Sequence, residues 1–145
     1  MKENWIIPCN VKRFNLIEHF KSNDTVVWRN AFTIRKGDDA YIYLSAPFGE
    51  LRYKCQVIED QVDEETIAAN QYAVSKKKSY NYFSKKEKYI ILRKVYEYPE
   101  GVMPLALLRE NGFGQTQIQA RTNRQLQAFI DRITAKCFME VTPDA

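Results

Sequence analysis

The apolar and polar positions of this chain divide it into strands first and helices later. Trp5 to Cys9 is an apolar run that stops at Pro8, Cys9 and Asn10, and it predicts a short first strand. Phe14, Leu16, Ile17 and Phe20 fall at helical spacing and predict a short helix over 13–21, broken by Ser22-Asn23-Asp24. Thr25 to Trp28 is β-rich and reads as a strand fragment or an extended loop. Lys36-Gly37-Asp38-Asp39 predicts a tight turn. Ala40 to Ser45 reads as a central strand, ended by Pro47 and Gly49. Leu51, Tyr53, Cys55 and Val57 alternate with polar neighbours up to Ile58, which predicts a strand with one buried face, paired with 40–45 as an antiparallel hairpin.

Asp63 to Asn70 fits a short helix, residues 71–86 show no period, and Lys88 to Tyr98 reads as a long strand. Pro104 is placed for the first turn of a helix carrying Leu105, Leu107 and Leu108, with Gly112 at its C-terminal cap. Gln115 to Ala120 is a possible strand or bulged link. The clearest helix comes last. Thr122 and Gln125 match a capping box, and Leu126, Phe129, Ile130 and Ile133 form an apolar stripe. The tail after Cys137 reads as a short strand or as loose chain. The totals predict an α+β domain: a small, mostly antiparallel β-barrel with short helices packed on it.

Length and composition add bounds. At 145 residues, with 45% hydrophobic residues, residues 1–145 read as one domain. No apolar run approaches the ~20 residues of a membrane span, and no signal peptide precedes the first strand, so the expected compartment is the cytoplasm. Cys9, Cys55 and Cys137 are widely spaced and odd in number, which points to free thiols. The spacings of a structural zinc site are absent, and no metal or other cofactor is expected.

The net charge of +4 is mild, but its distribution is uneven. Lys76, Lys77, Lys78, Lys85, Lys86, Lys88, Arg93 and Lys94 follow an acidic stretch from Glu59 to Glu65, with Tyr80, Tyr82 and Phe83 interleaved. Such a segment suits a polyanion with stackable bases, and equally a solvated strand edge.

Catalytic chemistry has little to stand on. His19 sits on a predicted helix without a flanking nucleophile motif, and the phosphate-cradling glycine loops are absent. Asp38-Asp39 is explained by the turn more simply than by a metal, and Cys9 as a nucleophile would have only His19 as its base. The expectation is a protein that is not an enzyme.

The positive signal is aromatic. Trp28-Arg29-Asn30 in a turn-rich region marks a recess beside the end of the first strand, whereas Trp5 reads mostly as core. Aromatic faces stack flat rings, and the carboxamides of Asn10 and Asn30 offer donor and acceptor to a base edge. Arg121 and Arg124 flank the start of the last helix, where an anion would be favoured.

These residues in this order resemble the EVE domain: Trp5-Ile6-Ile7-Pro8-Cys9-Asn10, Trp28-Arg29-Asn30, Lys36-Gly37-Asp38 leading into Tyr41-Ile42-Tyr43-Leu44-Ser45, then Leu107 to Gly112 and Gln119-Ala120-Arg121. The resemblance spans about residues 4–135. It implies a PUA-like barrel, related to YTH and ASCH domains, that takes a modified base in an aromatic-walled pocket. By position it implies Asn10, Trp28, Ser45, Pro47 and Arg121 as pocket residues. Many members carry Trp-x-Gly-Val-Arg-Asn where Trp28 here meets Arg29-Asn30 directly, and a histidine where Leu44 stands.

The working expectation is a nucleic-acid-binding module reading modified cytosine in DNA or methylated adenine in RNA. Trp28 and either Tyr43 or Phe48 would sandwich the ring, while Asn10 and Ser45 read its edge. Lys76, Lys77, Lys78, Lys85, Lys86 and Arg124 would hold phosphates. A nucleoside-type ligand binder or enzyme, or a protein-interaction module of a defence system, are the alternatives.

Overall fold

The computed structural model describes residues 2–69, 88–114 and 116–141. Six strands, β1 (Asn4–Cys9), β2 (Thr25–Asn30), β3 (Asp39–Leu44), β4 (Glu50–Glu59), β5 (Lys88–Glu97) and β6 (Ala120–Arg121), form one sheet in the order β2-β5-β4-β3-β1-β6. The β3–β4 hairpin is antiparallel as expected, and β1 and β3 run parallel. Four helices accompany the described strands: α1 (Leu16–Ser22), α2 (Glu64–Ala69), α3 (Leu105–Glu110) and α4 (Arg124–Val141).

The sheet is a curled half-barrel. Laid flat, β1 and β2 would stand four strand spacings apart, roughly 19 Å. Instead Phe14, just past β1, touches Trp28 on β2, with ring centroids 5.9 Å apart. The curl encloses a first core. Trp5, Ile7 and Cys9 of β1, Ala40, Ile42 and Leu44 of β3, Tyr53, Cys55 and Val57 of β4, and Ile90 and Leu92 of β5 meet there, capped by Leu16 and Phe20 of α1. The opposite face holds a second core. Ile6, Tyr41, Tyr43 and Leu51 pack there against Leu108 of α3 and Leu126, Phe129, Ile130 and Cys137 of α4.

Local details correct the sequence-based boundaries. The expected alternation of β4 breaks at Arg52. Ile42 pairs with Tyr53 but Tyr43 pairs with Leu51, so Arg52 is an extra residue on β4. The bulge sends Leu51 to the opposite face from Tyr53. Pro8 is tolerated inside β1 because β6 pairs only with Trp5 and Ile6, leaving no ladder bond for its missing N–H on that side. Helix α1 starts at Leu16, not residue 13, because Arg13 and Phe14 close a turn onto the Asn10 carbonyl and Asn15 caps the helix through Glu18 N.

The last helix starts one residue later than the capping box implied. Thr122 N still donates to Asn4 O, as an extension of β6. Asn123 is therefore the cap, its Oδ1 accepting from Leu126 N at 2.8 Å. Gln125 reaches back to Glu110 O instead. Nor is the tail after Cys137 loose: helix α4 continues to Val141, because Cys137 prolongs the buried stripe a turn beyond Ile133.

Candidate functional site

Trp28 lies on the enclosed face of the half-barrel. The β2–β5 register sets Val26 opposite Leu92 and Trp28 opposite Ile90, both of which point into the first core. Trp28 is only partly buried, at the margin of that core, and Phe14 meets it edge-on at 72°. Phe14 reaches it because Asn10 builds the turn after β1. The Asn10 carbonyl accepts from Arg13 N and Phe14 N at 2.9 and 3.1 Å, and its Oδ1 accepts from Lys12 N at 3.0 Å. Asn10 thus shapes the loop that backs Trp28.

The turn after β3 joins the same neighbourhood through Cys9. Ser45 N donates to Cys9 O at 3.0 Å, and Cys9 Sγ donates to the Phe14 carbonyl at 3.7 Å. Ser45, Pro47 and Phe48 form this turn, closed by Phe48 N donating to Ser45 O. The Ala46–Pro47 peptide is cis, and Phe48 is exposed. A continuous run of contacts therefore links the 45–48 turn, Cys9, Phe14 and Trp28. Cys9 itself is inert: burial pushes its thiol up to about 12. His19 is held too, its Nε2 lying 2.7 Å from Thr25 O, so that nitrogen carries the proton.

The structure rules out one expected arrangement. Tyr43 cannot sandwich a ring with Trp28, because the two side chains lie on opposite faces of the sheet. Tyr43 is buried in the second core against Phe113, with centroids 5.2 Å apart. Successive residues of a strand point to opposite faces, and Tyr43 follows the inward Ile42.

Asn30 is also committed elsewhere. Its Oδ1 accepts from Phe32 N and Ile34 N at 3.2 and 3.3 Å, and its Nδ2 donates to Ile34 O at 2.9 Å. All this fixes the loop after β2 and leaves little of the carboxamide for a base edge.

Arg121 stands at the other end of β1. It pairs with Trp5, and its guanidinium lies over the Trp5 ring, 5.2 Å from the centroid. Arg124 begins α4 and lines an open depression of about 420 Å³ with Glu3, Asn4, Thr122, Asn123, Gln127, Ala128 and Asp131. Glu3 and Asp131 outnumber it there, so the depression does not favour a phosphate. Lys76, Lys77, Lys78, Lys85 and Lys86 lie outside the described residues.

Two residues matter more than the sequence suggested. Asp38 is 2% exposed and accepts three hydrogen bonds: Trp5 Nε1 and Arg35 N at Oδ2, both at 2.9 Å, and Glu3 N at Oδ1, 3.0 Å. It ties the start of β1 to the turn before β3. Gln119 is buried, and its side-chain amide acts as one more strand residue on the edge of β2. It donates to Arg29 O at 2.7 Å and accepts from Ala31 N at 2.9 Å. The side chain thereby covers part of an otherwise open strand edge.

No protein-family profile and no curated protein matches the chain. Solved structures do resemble it. A point variant of the ASCH protein from Zymomonas mobilis superposes with a TM-score of 0.66 at 14% identity, covering 91% of this chain and 96% of that one. Human THYN1, in complex with DNA containing 5-methylcytosine, gives 0.63 at 11% identity, covering 99% of this chain and all (100%) of that one. Rpa0253 from Rhodopseudomonas palustris gives 0.60 at 11% identity over 92% of this chain and 94% of that one. The chain has the PUA-like fold of the ASCH and THYN1 structures.

Proposed function

We propose that this protein is a non-enzymatic, EVE-like nucleic-acid reader that takes a modified base against Trp28. The observation that carries the proposal is the placement of Trp28. It is partly exposed on the enclosed face of a half-barrel and braced edge-on by Phe14. A braced aromatic face of this kind gives a flat ring a rigid stacking surface, worth about 1–3 kcal/mol per base. The fold it shares with THYN1, which is bound to 5-methylcytosine DNA in the solved complex, supports nucleic acid as the partner class. Asn10 and the Ser45 turn connect to this surface through Cys9 and Phe14, and with Tyr43 on the other face, Phe48 is the aromatic of that pair left on the connected turn. Modified cytosine in DNA and methylated adenine in RNA are the bases proposed.

The test is a titration at low salt with DNA and RNA oligonucleotides carrying plain and modified cytosine or adenine. The expected result is tighter binding to one modified base, with Trp28→Ala losing that discrimination. Absence of binding to every oligonucleotide sinks the proposal. Equal affinity for modified and plain bases sinks the modified-base part alone.

A further inference from the structure

The loop that follows β2 is built more rigidly than its exposure requires. Ala31, Phe32 and Thr33 are exposed, and Phe32 presents 47% of its surface to solvent. Two side-chain amides nevertheless lock the backbone on which Phe32 stands. Asn30 binds Phe32 N, Ile34 N and Ile34 O, while Gln119 holds Arg29 O and Ala31 N from the far side of the sheet opening. Ile34 then anchors the loop in the first core, at 2% exposure. A large apolar side chain is thus held out in water on a short, clamped loop. Ile118, beside Gln119, is exposed as well, at 48%.

The surroundings of Phe32 are cationic. Arg29, Arg35 and Lys36 lie within three or four residues of Phe32 along the chain, Arg121 follows the Gln119 clamp by two, and Lys88 pairs with Asn30 across the β2–β5 ladder. Of the nearby acids, Asp38 and Asp39 are buried, while Asp60 is partly exposed and accepts from Lys36 N at 2.9 Å. An aromatic ring raised among arginines and lysines suits a chain with both phosphates and flat bases. Phe32 follows Trp28 by four residues, so their backbones are separated by at most about 14 Å. That is within a few nucleotides of one strand.

We infer that Phe32 is a second base-contacting residue, stacking on a nucleotide near the base read at Trp28, with Asn30 and Gln119 holding it in place. This rests on the nucleic-acid reading above. Clamping reduces the entropy lost on binding, which is the advantage of holding the ring out before the ligand arrives.

The experiment compares wild type, Phe32→Ala and Phe32→Trp for binding to an oligonucleotide that the wild type binds. 2-Aminopurine is placed in turn at the three nucleotides on either side of the recognised base. Phe32 is exposed, so neither substitution threatens the fold, and a thermal melt checks this. The expected result is a loss of roughly five- to 150-fold in affinity for Phe32→Ala. Its 2-aminopurine signal should also change at one flanking position, with both effects restored by Phe32→Trp. Unchanged affinity and fluorescence in Phe32→Ala overturn the inference, while binding by the wild type leaves the nucleic-acid reading standing. Failure of the wild type to bind any oligonucleotide overturns both.

Discussion

Replacing Asp38 tests the joint between β1 and β3. Asp38→Ala removes the acceptor of three donors at once. The Trp5 indole N–H is buried, and left without a partner it costs about 2 kcal/mol. The Glu3 and Arg35 amides are partly buried, so water relieves them and each costs about 1 kcal/mol. The expected loss is about 4 kcal/mol, a large part of the 5–15 kcal/mol typical of a domain. Asp38→Asn separates the contributions. Two donors share Oδ2 and one uses Oδ1, so the amide oxygen should settle at the Oδ2 position. Only the Glu3 contact is then lost, at about 1–2 kcal/mol.

Urea denaturation followed by fluorescence measures both variants, with an unchanged m-value as the check that the unfolded state is the same. Trp5→Phe closes a double-mutant cycle, and its cost should shrink by about 1–2 kcal/mol when Asp38 is already alanine. A loss below about 1 kcal/mol in Asp38→Ala, or equal losses in the alanine and asparagine variants, refutes the assignment of Asp38 as the buried hub.

Stability should also fall in alkali. Burial raises Cys9, Cys55 and Tyr53 to about 12 and raises Tyr41, Tyr43 and Tyr98 as well. The unfolded chain gives up these protons first, so the stability they contribute is complete below the ordinary thiol value near 9.0 and is lost as pH rises toward 12. The slope is at most about 1.4 kcal/mol per pH unit for each group. A urea midpoint that stays level to about pH 10.5 contradicts this. At the bulge, Glu50 Oε2 binds Arg52 at 2.8 Å and Oε1 accepts from Gly101 N at 2.6 Å, with both side chains almost wholly buried. Glu50→Ala should cost about 3–5 kcal/mol, and adding Arg52→Met should recover part of that loss in the same denaturation assay.

The strands and the final helix were legible because burial leaves a periodic mark on sequence. Ala40 to Ser45, Lys88 to Tyr98 and the stripe through Ile133 all fell where their spacing placed them, and Trp5 proved to be core. The order of those elements pointed to a barrel-like sheet with short helices packed on it, and the resemblance to the EVE domain to its PUA-like form. Bulges and caps depend on which backbone groups are already paired, which periodicity does not record. Arg52 could therefore reverse the face of Leu51, and Thr122 could yield its cap to Asn123.

The functional residues divide the same way. Trp28 was marked by its company in the sequence, and it lies on the enclosed face of the half-barrel. Its partners were decided only in three dimensions. Tyr43 was lost to the opposite face through the simple alternation of a strand, and the carboxamide of Asn30 was taken up by its own loop. Asp38 and Gln119 carry no periodic signal. Each acquires its role from donors and acceptors that folding brings to it, in Gln119 from a strand edge 88 to 90 residues away. Local patterning determined which segments would bury an apolar face. Tertiary contact decided which polar side chains close the sheet and fix the loops that carry Phe32 and back Trp28, because a buried polar group is stable only where the fold supplies its partner.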